Sequence, residues 1–210
     1  MSTPSAAVAA PRVLLRMGHP VVALLENVLA PEECAQLVGL ARPRLEPSTI
    51  VDPESGEDRA AAHRTSEGMF FARGETPFID ALDRRLSALM QLPPENGEGL
   101  QVLRYRAGGQ CAPHFDFLVP SNEANRASIA RSGQRIATLI VYLNDAEGGE
   151  TYFPETGVAV SPRRGHGLYF EYANERGELD RRSAHGAAAV TRGEKWVVTK
   201  WMREREFRPA

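Results

Sequence analysis

The sequence predicts a mainly β protein, a jelly roll (double-stranded β-helix) core buttressed by N-terminal helices. Three observations carry that expectation. Short β-branched or aromatic segments follow one another from Leu100 to the C-terminal region. Turn residues punctuate them at close intervals: Gly157, Pro162, Gly165, Asn174, Gly177 and Gly193. Helical periodicity stops at Gln91. Many short strands spaced in this way indicate a sandwich or jelly roll.

Taken in order, residues 1–18 are expected as a disordered lead-in. MSTPSAAVAAPR is rich in Ala, Pro and Ser and lacks the cationic start and leucine-rich stretch of a secretory signal. An apolar, partly β-branched pattern over Val13–Leu29 overlaps that boundary and fits one or two early strands. Residues 19–99 form a helical and strand support region of the same domain. Pro31-Glu32-Glu33 opens a helix, with proline in the first turn and acids at the positive end of the dipole. Pro43 ends it. The Pro-, Gly- and acid-rich stretch from Pro47 to Arg64 has neither helical nor strand period and reads as a mobile loop, a solvated connector or a lid over a groove. Thr65–Ala72 fits a short strand. Thr76 caps a second helix with Pro77 at its first position, and Phe78, Ile79, Leu82, Leu86, Leu89 and Met90 recur at helical spacing.

The core is assigned to residues 100–210. A strand runs from Leu100 to Tyr105 and turns at Gly108-Gly109. Phe117–Gly133 is polar and reads as an irregular loop. Arg135–Leu143 (RIATLIVYL) is the clearest strand of the chain. Further short strands are expected at Thr151–Phe153, Val158–Val160, Leu168–Tyr172, Ser183–His185 and Trp196–Trp201.

A chain of 210 residues with a formal net charge of −2 fits one domain. It shows no basic excess for nucleic acid and no apolar run long enough for a membrane span. Two cysteines, Cys34 and Cys111, exclude a disulfide framework and make a reducing cytoplasm the default. A homodimer is left open.

Chemistry concentrates in Gln101–Asp116. His114 and Asp116 lie two apart, so a strand would project both to one face. His185 is the third candidate ligand on a later strand. Two imidazoles and one carboxylate can hold Fe(II) on one side and leave its other positions open. The pair alone is a weak signal, and hydrogen-bonded core histidines or a structural zinc site would also account for it. Neither alternative accounts for Lys195, whose placement on an apolar strand is costly unless it meets an anion. His19, His63 and His166 show no such company and read as surface, capping or turn residues.

From Leu100 to Phe207 the chain resembles the prolyl 4-hydroxylase family of Fe(II)/2-oxoglutarate dioxygenases. QVLRY, PHFDF, GQRIATLIVYLN, GGETYFPE, SPRRGHGLYF and SAHGAAAVTRGEKWVVTKWMRE carry the likeness, in order and at matching spacings. HRTSEGMFF (His63–Phe71) resembles the segment before the family's second helix. The resemblance implies His114, Asp116 and His185 as iron ligands and Lys195 as partner of the distal carboxylate of 2-oxoglutarate. It implies Tyr105, Thr151 and Tyr142 as co-substrate contacts, and Arg135, Arg64 and Ser66 as substrate contacts. Ascorbate is the implied reductant and O2 the oxidant. One departure is Cys111, at a substrate-facing position where several family members carry Tyr.

The resulting expectation is hydroxylation of prolyl residues in a peptide or protein, with 2-oxoglutarate converted to succinate and CO2. Two other readings stay open: hydroxylation of a free amino acid or other small molecule, and a non-catalytic metal-binding module for proline-rich peptides.

Overall fold

The structure, a computed structural model, describes residues 10–51, 58–60, 65–174, 176 and 178–209. The start of the expected lead-in, most of the expected lid, His63, Arg64 and the turn glycine Gly177 lie outside the described residues.

The chain opens with an antiparallel ribbon, β1 (Arg12–Gly18) and β2 (Val21–Glu26), closed by a turn with a cis His19–Pro20 peptide. Residues 12–18 therefore correct the expected lead-in. Their backbone pairs from Arg12↔Glu26 to Gly18↔Val21, and the Ala/Pro-rich composition of the preceding residues does not extend into this apolar run. Helix α1 (Pro31–Ala41) follows, with the Glu33 carboxylate accepting the Ala30 N–H at 2.8 Å and a 3-10 turn at Arg42–Arg44. Next come β3 (Glu46–Pro47), β4 (Thr49–Val51), β5 (Asp58–Ala60) and β6 (Ser66–Phe71). Helix α2 (Pro77–Leu89) is capped by Thr76, whose hydroxyl accepts the Ile79 N–H.

The second half supplies β7 (Leu100–Arg106), β8 (Cys111–His114), α3 (Glu123–Ser132), β9 (Arg135–Tyr142), β10 (Glu147–Gly148) and β11 (Thr151–Phe153). β12 (Val158–Val160), β13 (Gly167–Glu171), β14 (His185–Ala187), β15 (Val190–Arg192) and β16 (Glu194–Arg203) complete it.

An eight-stranded sheet runs β1-β2-β13-β9-β16-β7-β6-β3, and a four-stranded sheet runs β12-β11-β14-β8. Period-2 alternation divides the side chains of the large sheet. Leu100, Val102, Ala137, Leu139, Val141, Trp196, Val198 and Met202 pack with Cys34 and Leu37 of α1 and Ile79, Leu82 and Leu86 of α2. Leu103, Tyr105, Tyr142, Phe170 and Val197 point the other way and meet Cys111, Phe153 and Ala187 of the small sheet. Each such buried side chain contributes about 1.5–3 kcal/mol through area removed from water. Helices on one face and a second sheet on the other make the expected buttressed jelly roll.

Two segments differ from expectation. β4 and β5 pair antiparallel, from Thr49↔Ala60 to Val51↔Asp58, inside the stretch read as a patternless loop. In place of a loop over Phe117–Gly133 the chain forms α3. Its cap is Asn122, whose side chain accepts the Asn125 N–H at 2.8 Å, and Gly133 at φ 75° ends it. Arg203 donates to the carbonyls of Ser128 and Gly133, and Arg205 to that of Ala130, so distant side chains satisfy its last turn. The helix buries only Ser132 and carries no apolar stripe to betray it.

Candidate active site

The two sheets bring together one buried face on which the expected residues meet. β8 and β14 run antiparallel with His114 directly opposite His185, their ring centroids 4.5 Å apart. Asp116 follows β8 in the loop and lies 3.5 Å from His114 Nε2 through Oδ1 and 3.6 Å from His185 Nε2 through Oδ2. All three donor atoms fall within 4.8 Å of one another. Each ring is oriented by its other nitrogen: His114 Nδ1 lies 3.0 Å from the Ala112 carbonyl, and His185 Nδ1 3.1 Å from that of Ser183. This leaves both Nε2 atoms facing Asp116, an arrangement that suits a divalent metal with three protein ligands.

Electrostatics agree with a cation site. Burial pushes the Asp116 carboxyl upward. His185, His114 and Arg135 together outweigh it and hold the group well below the ordinary carboxylate range. For His114 burial works downward, and its hydrogen bonds to Asp116 and Cys111 carry it up to about 10. Asp116 is also held from behind. The Thr138 hydroxyl donates to Oδ2 at 2.7 Å, and Arg135 Nη1 donates to the Asp116 carbonyl at 3.2 Å.

Lys195 enters the same interior from β16, opposite Tyr105 of β7. It is 2% exposed, and its ammonium donates to the Gly149 carbonyl at 2.6 Å, between the rings of Tyr105 (5.3 Å) and Tyr142 (5.6 Å). Among the described residues no carboxylate forms a salt bridge with it, so burial dominates and pulls its pKa down to about 8. A buried amine with only a carbonyl partner is a receptor for a carboxylate. Tyr142 donates to Thr151 Oγ1 at 2.9 Å and ties the two sheets together beside it. The four residues expected around the co-substrate thus lie close together between the two sheets.

The expected substrate residues are placed less uniformly. Arg135 grips Glu98 through Nε and Nη2, both at 2.7 Å, and stacks 4.2 Å over the Trp201 ring. Ser66 lies in β6 opposite Tyr105, with its hydroxyl 2.9 Å from that of Ser48. Cys111 is buried on β8, its sulfur 3.6 Å from His114 Nδ1.

Several residues of the site escaped the sequence reading. Thr138 and Tyr172 fall within expected strands and carry no signal of their own, and Glu98 carries none either. Trp201 could have been found: on β16 it shares the parity of Lys195, Val197 and Thr199 and so the same face. Beyond the small sheet Phe70 is 52% exposed and lies 6.2 Å from the buried Trp201 ring. Trp201 Nε1 and Gln101 Oε1 are buried there without a hydrogen-bond partner among the described residues.

Comparison with known proteins follows the same lines. The profile of the 2OG-Fe(II) oxygenase superfamily matches residues 100–203. Prolyl 4-hydroxylase 1 of Arabidopsis thaliana is 40% identical over 217 residues, which cover 91% of this chain and 75% of the plant protein. Prolyl 4-hydroxylase 5 of the same plant is 36% identical over 90% of this chain and 70% of its own length. Among solved structures, the viral collagen prolyl hydroxylase of Paramecium bursaria Chlorella virus-1 in its 2OG complex superposes with a TM-score of 0.66. It is 26% identical, covering 86% of this chain and 94% of the viral one. A Pseudomonas putida prolyl-4-hydroxylase shares the fold at 20% identity and a TM-score of 0.59, over 88% of this chain and 92% of that one. Identity at this level along nine-tenths of the sequence, joined to the metal-ready triad, settles the kinship: the chain belongs to the prolyl 4-hydroxylase family within the 2OG-Fe(II) oxygenase superfamily.

Proposed function

We propose that the protein hydroxylates prolyl residues of a peptide or protein substrate. His114, Asp116 and His185 would hold Fe(II), and Lys195, Tyr105, Tyr142 and Thr151 would seat 2-oxoglutarate. The observation that carries this reading is the juxtaposition of the triad, with donors within 4.8 Å, and a buried lysine that forms no salt bridge among the described residues, in the same interior. When bound, the iron and co-substrate supply the oxidation: one oxygen atom of O2 enters a substrate C–H bond and the other enters succinate, with release of CO2.

The chain's own residues do the positioning. Lys195 neutralises and anchors the distal carboxylate, while the Tyr105 and Tyr142 rings flank it and keep water from the anchor. His114, Asp116 and His185 would hold the iron through two imidazoles and one carboxylate. The exposed Phe70 ring, 6.2 Å from that of Trp201, supports a peptide over a small molecule, because it offers an aromatic surface on which a proline ring can pack.

The deciding experiment measures succinate formed from 2-oxoglutarate with Fe(II), ascorbate and a proline-rich peptide, for wild type and His114→Ala. Peptide-stimulated, His114-dependent succinate with a peptide heavier by one oxygen atom is the expected result. Succinate indifferent to peptide would move the substrate to small molecules. No succinate from iron-loaded wild type would favour a binding module.

A further inference from the structure

We infer that Thr138 and Tyr172 form a positioning relay that selects which oxygen of Asp116 faces the metal; this rests on the reading of His114, Asp116 and His185 as metal ligands. Both residues are fully buried, and Thr138 is the cross-strand partner of Trp201. Thr138 lies on β9 opposite Phe170 of β13, and Tyr172 follows just beyond the end of β13. The geometry fixes the direction of the relay. A hydroxyl carries one hydrogen, and the Thr138 hydroxyl gives it to Asp116 Oδ2. The close contact between Thr138 Oγ1 and the Tyr172 hydroxyl must then run the other way, from phenol to threonine. Tyr172 is well suited to that role, because burial, with the charge of Asp116 behind it, holds its phenol well above its ordinary pKa and protonated.

The consequence lies at the carboxylate. Both oxygens approach an imidazole, Oδ1 at 3.5 Å from His114 Nε2 and Oδ2 at 3.6 Å from His185 Nε2, but only Oδ2 receives the directed hydrogen bond of Thr138, which leaves Oδ1 the freer of the two for a cation. Arg135 donates to the Asp116 carbonyl at 3.2 Å and so restrains the backbone from which the carboxylate extends. A carboxylate without the Thr138 hydrogen bond could turn and offer either oxygen or both. The relay is therefore a positioning device for one-oxygen ligation, acting through Asp116 without touching substrate.

The test uses Thr138→Val, which keeps the shape and removes the hydroxyl, Thr138→Ser, which restores it, and Tyr172→Phe. Each metal-free protein is titrated with Co(II), following both affinity and the visible ligand-field spectrum, and its unfolding temperature is measured without metal. Thr138→Val is expected to weaken Co(II) binding by about 10- to 100-fold and to alter the spectrum. Thr138→Ser should keep wild-type affinity and spectrum, and Tyr172→Phe should shift both in the direction of the valine variant. Wild-type affinity and spectrum in Thr138→Val overturns the inference. If that variant does not fold, a wild-type titration and spectrum for Tyr172→Phe overturns it instead. Failure of wild type itself to bind Co(II) would overturn the metal site as well, so the two failures are distinct.

Discussion

His114 on β8 and His185 on β14 are direct cross-strand partners, so the spacing of two candidate metal donors is set by backbone pairing. Gly186 makes that pairing possible. A Cβ there would stand 2.8 Å from the Cys111 carbonyl and 2.9 Å from the Tyr152 ring. Gly186→Ala should push β14 away from β8 and weaken metal binding by about tenfold or more, although no ligand is removed. Metal titration of the folded variant checks it, and unchanged affinity would show slack between the strands.

Lys195 predicts how 2-oxoglutarate binding depends on pH. Burial lowers its amine to about 8 in the absence of an anion, so the charged form is present below that pH and lost above it. The dissociation constant for 2-oxoglutarate should be flat below about pH 8 and rise about tenfold per pH unit above. Lys195→Met should bind weakly with that slope abolished. Calorimetric titration across neutral and alkaline pH reads both effects, and a flat wild-type profile would contradict the assignment.

The sequence revealed most of the scaffold because the large sheet is written in runs such as RIATLIVYL, whose β-branched density leaves little choice. His114 and Asp116, two apart, were a weak signal alone; the lysine on an apolar strand and the family resemblance joined His185 and Lys195 to them. Helix α3 was not visible, since it is polar on every side and owes its last turn to Arg203 and Arg205, far away in sequence. Thr138, Tyr172 and Glu98 were hidden for a related reason. Their roles exist only through partners that the fold delivers, and each is an unremarkable residue for its local structure.

Glu98 should control acid stability. It accepts both arms of Arg135 and Nη1 of Arg203 at 3.0 Å. Burial pushes its carboxyl up, but the two guanidinium groups win and hold it below the ordinary range. A depressed carboxyl stabilises the fold above its unfolded pKa and loses that contribution as pH falls through its folded value. Glu98→Gln should cost about 3–5 kcal/mol at neutral pH by leaving buried arginine charge unpaired. In urea unfolding the gap from wild type should narrow as pH falls into the acid range.

Helix α2 is locked to the sheet by Asp83 and Lys200, 2.5 Å apart and buried. Asp83→Ala strands the ammonium and should cost about 3–5 kcal/mol. The double variant Asp83→Leu, Lys200→Met should lose far less, because no charge remains to be desolvated. Thermal and denaturant unfolding of the three proteins would show this; equal losses in both variants would place the energy in packing and not in charge.

Both lysines of the sequence, Lys195 and Lys200, lie on β16, one on each side of the large sheet, and neither is more than 2% exposed. Every other basic side chain among the 25 lysines and arginines is a guanidinium, which stays protonated and does not act as a nucleophile. The folded protein therefore offers no lysine amine to acylating reagents, to aldehyde fixation or to an enzyme that attaches a modifier through an isopeptide bond. Lysine labelling would in effect be a clock for the opening of β16, with Lys195 protected when the anchor is occupied and Lys200 protected until α2 lifts away.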